Sequence, residues 1–336
     1  MSTLFNRRQA ITALGGTLGT ALSSPAWAQA GGSVVVYTSN NAQAFDAVTE
    51  VARKRMPGVK LSAITGGSGQ LLRRLEAEAA KPQGDVFWSS SANTLGAFKP
   101  LFQPYRSTEM AAIPKALHHP DDLWSATNLH VAVAMVNRNQ LGGVPLPKTW
   151  ADLLDARLKG KIVIADPANS STAMTILWGV EKMLGADGLK RLASNVKVTS
   201  AAATVLRGVG QGEYAVGLTF ESNAYPYVAG GQKEISLVYP SDGTFTTAEY
   251  LALIKGAPAG ALAQKACDHL LSKEVQTELL LAAYRRPSRS DIDVAKLVEL
   301  PPLAGIKVFP IDEDEAAAQR ADFLKRWQAL AVVVGS

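Results

Sequence analysis

Residues 33–41 read Ser33-Val34-Val35-Val36-Tyr37-Thr38-Ser39-Asn40-Asn41. A β-branched run gives way to a polar loop. Ala42 to Arg55 then carries Phe45, Val48 and Val51 on one helical face. This is a strand–loop–helix unit, and it repeats. Val59 to Ile64 is strand-like, Thr65-Gly66-Gly67-Ser68-Gly69 is a loop, and Leu71, Leu72, Leu75 and Ala79 mark a helix. Pro82-Gln83-Gly84 breaks that helix, and Asp85-Val86-Phe87-Trp88 runs as a short buried strand into Ser89-Ser90-Ser91. Strands alternating with helices of this length predict βαβ units and a mostly parallel sheet, an α/β fold.

A second series follows. Lys161 to Ala165 reads as a strand ending in Asp166-Pro167-Ala168-Asn169-Ser170-Ser171-Thr172, and Ala173 to Leu184 reads as a helix. Val196 to Thr199 is a strand and Thr204 to Gly208 is helical. Tyr214 to Phe220 is a strand ending in Glu221-Ser222-Asn223, and Ile235 to Tyr239 is another before Pro240-Ser241-Asp242-Gly243-Thr244. Two long extended runs, near 126–134 and 246–254, bracket this series. The simplest topology crosses from one lobe to a second and back, giving two hinge crossings and an interlobe cleft. Lobe one is expected to hold residues 33–125 and 255–336, and lobe two residues 126–254. Three C-terminal helices, 259–271, 272–284 and about 313–334, fall in lobe one on this reading.

Composition sets the outer limits. Of 336 residues 47% are apolar and 19% charged, which excludes a disordered chain lacking the surface to offset its entropy. The net charge of +5 invites a nucleic-acid reading until the charges are located. Arg7 and Arg8 precede an apolar, glycine-softened stretch from Ile11 to about Leu22 and then Pro25-Ala26-Trp27-Ala28. That layout predicts an export signal over residues 1–28, of twin-arginine (Tat) type, removed after about Ala28. The apolar stretch is far short of the roughly 20 residues that span a bilayer. Removing Arg7 and Arg8 leaves +3, dispersed over the chain, so no nucleic-acid partner is expected. The single cysteine, Cys267, excludes an internal disulfide framework and reads as a buried apolar residue.

Val34-Val35-Val36-Tyr37-Thr38-Ser39, Gly84-Asp85-Val86-Phe87-Trp88-Ser89, Pro147-Lys148-Thr149-Trp150-Ala151-Asp152-Leu153 and Leu271-Ser272-Lys273-Glu274-Val275-Gln276 together carry a resemblance. In order and spacing they resemble a bacterial ABC-transporter periplasmic solute-binding protein. The cluster is the one holding ferric-iron-binding proteins and binders of hexose phosphates and 2-aminoethylphosphonate, and the likeness covers residues 33–290. It implies a two-lobe type II periplasmic-binding-protein fold, a periplasmic location, and delivery of solute to an inner-membrane ABC permease with its ATPase.

The candidate site lies in loops at strand ends. Ser39 and Asn40, then Gly67, Ser68 and Gly69, then Ser89, Ser90 and Ser91, then Ser170, Ser171 and Thr172 are all rich in hydroxyls, amides or glycine. Three of the four loops lead into helices. A helix N-terminus offers about four unpaired N–H groups and roughly half a positive charge, which suits a phosphate, phosphonate or carboxylate. Plain N-capping competes for any one loop. Glu221 and Asp242, with Ser222 and Thr244 beside them, follow strands and are expected to read an amine or hydroxyls; an Asp–Gly turn competes at Asp242. His130 is expected either to line the cleft or to pack as a satisfied core residue.

The resemblance also implies an iron alternative. Ferric relatives offer two neighbouring tyrosines after the strand equivalent to Tyr214–Phe220, with a His and a Glu from lobe one. Here those places read Phe220-Glu221-Ser222-Asn223, Ser39-Asn40-Asn41 and Ser89-Ser90-Ser91. Tyr225 and Tyr227 flank Pro226, and with Glu221 they are the remaining metal candidates. The expectation is therefore a non-enzymatic, cofactor-free, monomeric binder of a small anionic organic solute, a phosphorylated sugar or phosphonate. Its rivals are ferric iron, an exported phosphate-ester hydrolase and a sensory ectodomain.

Overall fold

The computed structural model describes residues 31–335; the export signal expected over residues 1–28 lies outside them. In chain order β1 (Gly32–Thr38), α1 (Ala42–Arg55), β2 (Val59–Thr65), α2 (Ser68–Ala77), β3 (Val86–Trp88), α3 (Ala92–Leu95) and β4 (Phe102–Gln103) open the first lobe. The long β5 (Ser125–Asn137) leads into β6 (Ile162–Ala165), α4 (Ser171–Asn195), β7 (Val196–Thr199), α5 (Ala202–Gly210), β8 (Val216–Phe220), α6 (Glu221–Ala229) and β9 (Ile235–Val238). The chain returns through β10 (Thr246–Ile254) to α7 (Ala261–Leu271), α8 (Lys273–Ala283) and β11 (Arg286–Pro287), and ends in α9 (Glu313–Ala318) and α10 (Arg320–Gly335).

The strand order is β2-β1-β3-β10-β5-β8-β6-β7. Within each lobe the βαβ units pair in parallel: β1 with β2 and β3, and β6 with β7 and β8. The hinge pairings are antiparallel. β5 joins the lobes because its first half pairs with β10 and its second half with β8 and β9. Alternation along β1 divides the first lobe into two cores. Val34 and Val36 face α1, α7 and α8, whereas Tyr37 faces Leu71, Leu72 and Leu75 of α2. The second lobe has one core around Trp150, Trp178, Met135 and Phe220.

The C-terminus departs from the two-crossing expectation. Ala316, Phe323 and Trp327 belong to the second lobe's core, with Phe323 edge-on to Trp178 at 5.6 Å. The chain therefore passes between the lobes a third time after residue 300: Val308 bridges Thr244, Phe309 packs on Phe245, and α9 lies between α3 of the first lobe and the core of the second. Amphipathic spacing reports that a helix buries a face, not which of two cores receives it. A second difference is in α4. It runs on to Asn195, but Gly185, at φ +71°, breaks its course where the sequence pattern ended the helix.

Candidate functional site

Four parallel strands end at one cavity of about 440 Å³; α2, α4 and α5 line it with their first turns, and α1 reaches it through its N-cap, Asn41. β1 leads to α1, β2 to α2, β6 to α4 and β7 to α5, so each lobe contributes two helix N-termini. Ligands of open α/β sheets bind outside these carboxyl ends. The capping differs among the four. Asn41 Oδ1 accepts from Ala44 N–H at 3.0 Å to cap α1, and Ser170 Oγ accepts from Ala173 N–H at 3.3 Å to cap α4. Gly67 before α2 and Ala201 before α5 supply no side-chain cap. The start of α5 is thus a set of backbone donors with no competing side chain.

Most of the loop residues expected in the cleft are there. Ser39, Asn40, Gly67, Ser68, Ser90, Ser91, Ser170, Ser171 and Thr172 all line the cavity. Ser89 lies beneath it, with its Oγ 2.6 Å from Ser39 Oγ and 3.3 Å from Ser68 Oγ, so it positions the lining hydroxyls. Ser90 holds φ +78°, an uncommon conformation for a non-glycine residue that is found preferentially at functional sites. Gly69 does not line the cavity; it packs against the Ala168 backbone of the other lobe.

The acidic expectations need correction. Glu221 is buried and forms a two-point pair with Arg286, Oε2 to Nε at 2.6 Å and Oε1 to Nη2 at 2.8 Å. Tyr239 donates to the same carboxylate at 2.5 Å. With its acceptors taken, Glu221 braces the base of lobe two and does not line the cavity. Its neighbour Ser222 is buried, 3.5 Å from His130 Nδ1. Asp242 accepts from Trp150 N–H at 3.2 and 3.0 Å, stapling the turn before β10 to the Trp150 loop. Thr244 is fully buried and donates to the Ala132 carbonyl. The tyrosines held for iron also face elsewhere. Tyr225 donates to the Glu299 carbonyl and packs on Tyr284, and Tyr227 packs against Gly210. Among the described residues no three His, Cys, Asp or Glu side chains converge to hold a metal ion.

The cavity floor, apart from His130, was missed by the sequence reading. It consists of His130, Glu249 and Arg285, with Phe220 and Asn223 at its side. Arg285 Nη1 donates to Glu249 Oε2 at 3.0 Å, and both side chains are buried. Burial pushes the Glu249 carboxyl up, but the Arg285 charge and contacts with His130 and Asn40 outweigh it and hold it below its ordinary range. Burial holds the His130 imidazole below its ordinary range against the pull of Glu249; its ring stacks on Phe220 at 4.4 Å. Arg285 Nε has no hydrogen-bond partner among the described residues. Among the described residues Glu249 is the one carboxylate on the cavity, and Arg285 neutralises it. The remaining local field comes from the helix N-termini. The signal for this floor was a lone carboxylate in the apolar strand Thr246–Ile254, which requires a buried cation. Arg285 and Arg286 pair with Glu249 and Glu221 respectively. A larger cavity, about 520 Å³, touches His130 and is walled by Trp124, Tyr250 and Glu313, but the α2, α4 and α5 N-termini do not reach it.

Two α/β lobes on a strand hinge with a polar cavity between them define a solute-binding protein of the periplasmic type. Residues 82–318 match the family model described as bacterial extracellular solute-binding protein, and the chain belongs to that family. It is a bacterial periplasmic solute-binding protein of an ABC importer, a non-catalytic class, related to both ferric-binding and phosphate- or phosphonate-binding members. It is 29% identical to an uncharacterized Haemophilus influenzae protein, over 89% of this chain and 91% of that one. It is 24% identical to a Salmonella typhi protein provisionally named 2-aminoethylphosphonate-binding periplasmic protein, over 91% of this chain and 94% of that one. The periplasmic binding protein AfuA of Actinobacillus pleuropneumoniae, solved with fructose-6-phosphate, superposes with TM-score 0.81 at 26% identity, over 89% of this chain and 98% of that one. Iron-bound HitA of Pseudomonas aeruginosa shares the fold, with TM-score 0.75 at 18% identity over 90% of this chain and 99% of that one.

Proposed function

We propose that the protein captures a small anionic organic solute, a phosphate ester or a phosphonate, and presents it to an ABC permease. The observation that carries this is the convergence of four helix N-termini from both lobes on one cavity, two of them without side-chain caps. Each brings roughly half a positive charge; caps take one donor at α1 and at α4 and the Asn169 carbonyl takes the Gly69 N–H of α2, which leaves the start of α5 with the freest donors. Arg285 adds a buried guanidinium with an unpartnered Nε–H. A cavity of about 440 Å³ suits a small organic molecule rather than a bare ion. Ser39, Asn41, Gln70 and Asn223 would read hydroxyls on the rest of the solute. Relatives named for 2-aminoethylphosphonate and solved with fructose-6-phosphate support the same ligand class.

The test is a melting-temperature panel of phosphate esters, alkylphosphonates, carboxylates and ferric salts. A true solute at 100 times its Kd stabilises by about 2.7 kcal/mol. A shift confined to ferric salts, with a tyrosinate charge-transfer colour, would overturn the proposal in favour of iron.

A further inference from the structure

The start of α2 meets the β6–α4 loop directly across the cleft. Gly69 N–H donates to the Asn169 carbonyl at 3.3 Å. A Cβ on Gly69 would overlap the Ala168 carbonyl oxygen, and one on Gly67 would stand 2.6 Å from the Asn169 oxygen. Only glycine lets the two backbones approach this closely. Arg73, one turn further along α2, donates from Nη1 to the Ala168 carbonyl at 3.3 Å and from Nη2 to Asn169 Oδ1 at 2.7 Å.

The receiving loop is built within lobe two. Asp166 accepts from Ala168 N–H at 2.9 Å and from Asn169 Nδ2 at 2.9 Å. Arg320 of α10 donates to the Pro167 and Ala168 carbonyls at 3.4 and 3.3 Å. This gives the third interlobe passage a consequence: the C-terminal helix presents the loop that α2 must meet.

We propose that Gly69 and Arg73 on one lobe, with Ala168 and Asn169 on the other, form a latch that sets the population of the closed state. Gly69 and Arg73 are positioning residues, because neither lines the cavity. The contacts join protein to protein, so they favour closure also without solute; of the four residues only Asn169 lines the cavity. Closure is therefore favoured by the latch as well as by the solute, and the two meet at Asn169.

The solute-free protein tests this. Lys54 on α1 and Lys190 on α4 are exposed, and Cys267 is buried, so spin labels can be placed at Lys54→Cys and Lys190→Cys alone. Pulsed dipolar spectroscopy then reads the interlobe distance. In Gly69→Ala the short-distance population is expected to disappear. In Arg73→Ala the closed-to-open ratio is expected to fall roughly three- to tenfold, as for loss of charge-assisted hydrogen bonds. Melting temperature should hold in both, since neither change touches a core. Distance distributions in both variants matching the parent would overturn the latch. If Gly69→Ala fails to fold, Arg73→Ala and Asn169→Ala decide the matter on the same readout.

Discussion

Replacing Glu221 separates a solute ligand from a structural brace. In Glu221→Ala the Arg286 guanidinium loses both of its carboxylate contacts, at 2.6 and 2.8 Å, and keeps the Pro301 carbonyl at 2.7 Å. Arg286 is only 5% exposed, so water cannot replace the lost partner. Breaking a buried pair from one side costs about 3–5 kcal/mol. At roughly 2 cal/mol/K per residue over about 300 residues, this lowers Tm by about 5–8 °C. Scanning calorimetry and urea unfolding of the solute-free protein measure it. A double variant, Glu221→Leu with Arg286→Met, should recover most of the loss, because a packed apolar pair replaces two desolvated charges. Affinity for whichever compound the melting panel identifies should change little, since Glu221 does not line the cavity. An unchanged Tm with lost affinity would refute the brace and restore the carboxylate to the solute.

Three other outcomes follow from the geometry. Ala202→Pro deletes one N–H at the first position of α5, where proline is tolerated and the preceding Ala201 is already extended; helix content should hold while Kd for the identified anion rises about tenfold by calorimetry. Arg285→Gln leaves Glu249 buried without its cation, and both affinity and melting temperature should drop, most clearly near neutral pH where the carboxylate is charged. Burial pushes the Glu313 carboxyl up to about 7, against hydrogen bonds from Thr247, Asn93 and Ala92. The folded state then binds more protons than the unfolded one between about pH 4.5 and 7, so this group's stabilising contribution is lost as pH rises through that window. The Tm of Glu313→Gln relative to the parent should accordingly increase from pH 5 to pH 8, and a flat difference would refute the assignment.

The alternation of β-branched runs with helical stripes placed the strand-end loops, because period and loop chemistry are local properties of the chain. Ser39, Asn40, Gly67, Ser68, Ser90, Ser91, Ser170, Ser171 and Thr172 were legible for that reason, and all face the cavity. The start of α5 was not, since Ala201, Ala202 and Ala203 offer backbone donors without a side-chain signature. Asp242 stayed open between solute and turn, because a carboxylate after a strand looks the same in either role; folding put it in the turn, on Trp150 N–H.

Local pattern alone therefore determined the α/β class, the long hinge strands and a hydroxyl-rich cleft. Tertiary structure decided the electrostatics. Glu249 and Arg285 are 36 residues apart in sequence, and Glu221 and Arg286 are 65 apart. Whether a carboxylate stays free to bind a solute depends on which cation folding brings within 3 Å of it. The sequence registers such an encounter only indirectly, as a charge in a strand that should have none.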